Sequence, residues 1–126
     1  MIRALHLTPF ALAIALAGTH AAAAREVRIN NAGVQRTAVA ASTASGVCTA
    51  QLDVQLSSLG LACSGRVVTF GCDGVLTTKD VAWRMFDVAQ LASVRKLLVN
   101  INVSDTRKAA DGTTCFAPRI ELVPPK

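Results

Sequence analysis

The stretch Lys79–Ser104, KDVAWRMFDVAQLASVRKLLVNINVS, changes its hydrophobic period part-way along, and that change decides the fold. Up to Lys96 the apolar residues recur at helical spacing. At about 100° per residue, Val81, Ala82, Met85, Phe86, Val88, Ala89 and Ala92 form one broad arc. From Leu97 the period drops to two: Leu97, Val99, Ile101 and Val103 face one way, and Asn100, Asn102 and Ser104 the other. Thr77 is placed to cap the helix, with Asp80 three residues on, and Arg95 and Lys96 suit the negative end of its dipole.

Working outward, four further segments show strand alternation. They are EVRIN (26–30), QLDVQL (51–56) with Leu52, Val54 and Leu56 inside, RVVTFGC (66–72) with Val68 and Phe70 inside, and RIELV (119–123) with Ile120 and Leu122 inside. TAVAASTASG (37–46) is small and low in complexity and reads as a loop, and SDTRKAADG (104–112) reads as the turn before the last strand. Pro118 is expected at the start of that strand, where a missing donor is tolerated. The order is three strands, a helix, two strands (βββαββ), mostly β with one helix. Each strand has one apolar face, which calls for a small closed barrel or a covered sheet. The five-stranded OB-fold barrel shares that order.

Residues 1–24 are set apart from this domain. Arg3, the apolar run Phe10–Ala17 and the small residues Ala22–Ala24 make a secretory signal peptide. The run is too short, and too interrupted by Thr8 and Pro9, to span a bilayer, which takes about 20 apolar residues. The expected mature chain, 25–126, is a single soluble OB-like domain, periplasmic or secreted. The whole sequence of 126 residues carries a formal charge of +5. Removing the leader takes one cation, Arg3, and leaves 12 Lys and Arg against 8 Asp and Glu, a net +4. That mild excess fits loose attraction to acidic surfaces.

Cys48, Cys63, Cys72 and Cys115 all fall in the mature chain, and an even set in an exported small domain predicts two disulfides. Three connectivities are open; Cys48–Cys63 with Cys72–Cys115 is preferred. A metal site is disfavoured, because the cysteines lack paired spacing and both histidines, His6 and His20, lie in the leader. Without histidine the mature chain has no base for a serine or cysteine nucleophile. Asp105 and Asp111 could form a carboxylate pair, but their turn-rich setting reads as solvation. GCDG (71–74) has neither phosphate-loop nor dinucleotide spacing. No catalytic residue, cofactor or metal is therefore assigned. Nucleic-acid binding is disfavoured too, since Phe70 and Phe86 are in phase with the core and Phe116 adjoins Cys115. Asn102–Ser104 matches a glycosylation sequon but lies in a strand.

One feature of the helix is surplus to its core arc. Trp83, Leu91 and Val94 fall opposite, among Asp80, Asp87 and Gln90. Scattered exposed apolar residues are ordinary on monomers, but Trp is enriched in interface cores. The expected interface residues are Trp83, Asp87, Gln90, Leu91 and Val94, and the segment Ser104–Thr114 is the expected ligand contact. The runs VVTFGCDG (67–74), FDVAQLASVRKLLVNINVSD (86–105) and GTTCFAPRIEL (112–122) resemble small exported bacterial OB-fold proteins. In arrangement they are similar to the B subunits of AB5 toxins, in particular the subtilase-cytotoxin type. The resemblance covers about residues 66–122. It implies a homo-oligomeric ring, a pentamer, with helices lining the centre, binding of a host glycan, and a separate catalytic A subunit. No position matches a glycan site of that family. The alternative is a monomeric periplasmic domain that binds or inhibits another protein.

Overall fold

A computed structural model describes residues 25–126; the signal peptide expected at 1–24 lies outside the described residues. Five strands and one helix follow one another: β1 (Glu26–Val39), β2 (Cys48–Leu52), β3 (Val67–Thr69), α1 (Lys79–Arg95), β4 (Leu98–Lys108) and β5 (Cys115–Leu122). A single 3-10 turn, Leu56–Leu59, lies between β2 and β3, so the order departs from the expected one by that element. The sheet closes in a ring, β1-β2-β3-β5-β4, with β4 paired back to β1. All neighbours are antiparallel except β3 and β5.

One strand serving two neighbours makes the closure possible. Glu26 to Gly33 of β1 pairs with β4, and Val34 to Val39 pairs with β2. The register slips between Ile29 and Ala32 and again between Val34 and Arg36, so β1 bends at two bulges. Asn31, at φ 56°, sits in the first, and its N–H is taken by Asn100 Oδ1. Residues 37–39, expected in a loop, therefore belong to β1, with Val39 opposite Cys48. Low complexity hid this strand, because small side chains give no clear alternation to read.

β2 begins and ends earlier than the alternation at 51–56 suggests. Leu52 and Leu56 are both fully buried, but the chain has turned into the 3-10 segment by Leu56. β5 begins earlier than expected as well, at Cys115, which puts Pro118 inside the strand. Pro118 falls between the Asn102–Arg119 and Ser104–Phe116 pairs, where the β4–β5 register shifts and a donor is dispensable. The same shift turns Ser104 inward. It is 4% exposed, against the expectation of an outward side chain, and its hydroxyl is paired with that of Thr106.

The helix plugs the ring. Ala82, Met85, Phe86, Ala89 and Ala92 face the core, which is dominated by Phe70, Phe86, Phe116, Leu52, Leu56 and Ile101. Phe86 meets Phe70 with ring centroids 6.3 Å apart. Val81, at the margin of the predicted arc, is exposed instead. The cap is Thr78, one residue beyond Thr77: its Oγ1 accepts the Val81 N–H at 3.4 Å. Lys96 ends the helix in the left-handed conformation.

Candidate binding site

The four cysteines form two disulfides, Cys48–Cys72 and Cys63–Cys115, which corrects the preferred pairing. The reason is register. Thr49 of β2 lies opposite Thr69 of β3, which brings Cys48 beside the residues just past β3, where Cys72 lies. Cys63, in the loop before β3, is carried to the start of β5 by the parallel β3–β5 pair, in which Val68 faces Cys115. Sequence spacing holds no trace of these neighbours. Both bridges are buried, and two disulfides suit an oxidising export compartment. Among the described residues no helix is long and apolar enough to cross a membrane.

The expected interface residues share one outward side of α1. Trp83 (38% exposed), Leu91 (43%) and Val94 (82%) are open, and so are Asp87 and Gln90. Trp83 is also anchored: its ring stands edge-on to Phe86 at 5.7 Å, so the outer stripe rests on the side chain that fills the core.

The expected ligand segment, Ser104–Thr114, divides differently. Its first five residues are β4, and only the turn that follows is a loop. Asp111 organises that turn, accepting from the Thr113 and Thr114 N–H groups, the Thr114 hydroxyl and the Ser45 hydroxyl. Burial pushes its carboxyl up, but the Thr114 hydroxyl and the other donors outweigh that and hold it at about 2. The Ser45 contact and the Asp111 N–H to Ala44 carbonyl bond at 2.9 Å tie this turn to the β1–β2 loop. Asp105 is lowered by the N–H groups of Arg25 and Ala62. Both carboxylates are thus committed to holding the chain in place.

Two outer faces of the ring carry polar side chains. On β1, β4 and β5 these pair with one another: Glu121 takes Arg28, Arg119 and Asn100, and Asn102 donates to Glu26. The sequon is engaged here, with the Asn102 amide bonded and Ser104 buried. The face of β1, β2 and β3 is more open. A shallow hollow of about 300 Å³ is lined there by Arg36, Thr37, Ala38, Thr49, Gln51 and Val67. Gln51 donates a side-chain N–H to Gln35 Oε1 at 3.0 Å, while Arg36 forms no ion pair among the described residues. A free guanidinium, a fixed amide and the Thr49 hydroxyl around a small apolar floor can hold a hydroxylated or anionic molecule. Sequence reasoning missed this hollow because Thr37 and Ala38 read as loop; the alternation of Thr49 and Gln51 was the available signal.

No family model, curated protein or solved structure matches this chain.

Proposed function

We propose that this chain is an exported, non-enzymatic binding protein of the OB type, a receptor- or glycan-binding subunit that assembles with copies of itself. The ring order with a helix between its third and fourth strands supports the OB reading. One observation carries the function: the helix that fills the ring also exposes Trp83, Leu91 and Val94 on its outer side. An apolar stripe with an anchored Trp is the kind of surface that a partner subunit covers. In this reading a neighbouring copy covers the outer helix stripe, which leaves the β1–β2–β3 hollow open to solvent and ligand. The strands there and the flanking β1–β2 and β4–β5 loops are the usual ligand face of OB domains.

The test has two parts. Sedimentation of the purified protein at high micromolar concentration is expected to show an oligomer, and a monomer would favour the inhibitor-like alternative. A glycan array probed with the wild type and Arg36→Glu is expected to show binding that the variant loses. An array silent to the wild type removes the glycan assignment.

A further inference from the structure

The outward stripe of α1 needs a counterpart, and its charges restrict what that is. Turning by about 100° per residue, Gln90, Trp83, Val94, Asp87 and Asp80 follow one another within about 80° of arc, while Arg84 and Arg95 lie on the flank. Neither Asp80 nor Asp87 forms an ion pair among the described residues. A twofold contact of this stripe with its own copy would set Asp87, near the middle of the helix, against Asp87. Facing carboxylates oppose that arrangement.

A surface of opposite character lies where α1 ends and β4 begins. An open groove of about 450 Å³ runs between Lys96, Leu98, Val123, Pro124 and Lys126. It shares Lys96, Leu97 and Leu98 with an adjoining hollow of about 310 Å³. Leu98 is 45% exposed although it opens a strand. Lys96 and Lys126 form no ion pair among the described residues. Apolar walls beside the unpaired Lys96 ammonium complement an indole flanked by unpaired carboxylates.

We infer that this groove receives the helix stripe of a second copy of the chain. Trp83 of one copy packs on Leu98, Val123 and Pro124 of the next, and Asp87 approaches Lys96. Trp83 and Lys96 stand about 20 Å apart along the helix at 1.5 Å per residue, so no copy satisfies its own groove. Donor and acceptor surfaces differ, and each copy carries both. The contact is therefore head-to-tail, which closes in a ring where the rotation between copies allows it and otherwise extends as a filament. This rests on the self-assembly proposed above.

The test measures the association constant of the full protein by sedimentation, with circular dichroism as a check on folding. Asp87→Lys and Lys96→Glu should each weaken association about tenfold or more, because like charges then meet. Both changes in one chain restore opposite charges and should recover it to within about threefold. If the wild type associates and Trp83→Ala dissolves it, yet the charge pair neither weakens nor rescues, the groove assignment is overturned and the helix interface stands. If the wild type remains a monomer, both fail.

Discussion

Replacing Phe86 by Ala separates the two sides of the helix. Phe86 is 2% exposed and lies between Phe70 in the ring and Trp83 on the outer stripe. Deleting a buried Phe side chain costs about 3–5 kcal/mol in transfer and cavity terms. Two aromatic contacts go with it, each worth about 0.5–1.5 kcal/mol beyond area, which places this site in the upper half of that range. A domain of this size has about 5–15 kcal/mol in all, so the variant should lose a large part of its stability. Urea unfolding followed by circular dichroism, with disulfides intact, reads the change as a lower midpoint at unchanged slope. In a thermal scan the melting point should fall by at least about 4 °C per kcal/mol. Trp83→Ala is the control. Its side chain is partly open, so its cost to the monomer should stay near 1–2 kcal/mol, an order-of-magnitude figure for a partly buried group. A Phe86→Ala loss below about 1 kcal/mol would refute the reasoning, because the helix would then not fill the ring.

Further outcomes follow from the bridges, the Asp111 turn and the tight loops. A non-reduced digest should yield Cys48–Cys72 and Cys63–Cys115 peptides, and removing either bridge should cost about 3–4 kcal/mol in the chain-entropy model. Asp111 has a folded pKa of about 2 against an ordinary 3.8, so its contribution is complete above about pH 4 and lost as pH falls toward 2. Asp111→Asn should flatten that part of an acid-unfolding curve. Gly46, at φ +78°, would place a Cβ 2.2 Å from Thr69 Oγ1, whereas Gly65, at φ +64°, has nothing within 4 Å. Gly46→Ala should therefore destabilise clearly more than Gly65→Ala in the same urea assay, because only the first adds a collision to the backbone strain.

The helix and the core of β4 were legible because each follows one period without interruption: Val99, Ile101 and Val103 are all fully buried, as alternation requires. Legibility fails where the ring bends. Bulges at Asn31, near Gln35 and after Asn102 shift the side-chain phase by long-range pairing, which no local pattern announces. The cysteine pairing fails for the same reason, since it depends on which strands become neighbours. For the candidate site, the outward helix residues were readable from the wheel alone. The hollow around Arg36 was not, because its floor is made by strands that meet only once the ring has closed.

The two bridges also interlock along the chain: Cys63 lies inside the loop closed by Cys48–Cys72, and Cys72 inside the loop closed by Cys63–Cys115. A protease that cuts once at any exposed turn between Cys48 and Cys115 therefore releases nothing, because the severed ends stay covalently joined through one bridge or both. For a domain stapled in this way, backbone damage and disassembly become separate events.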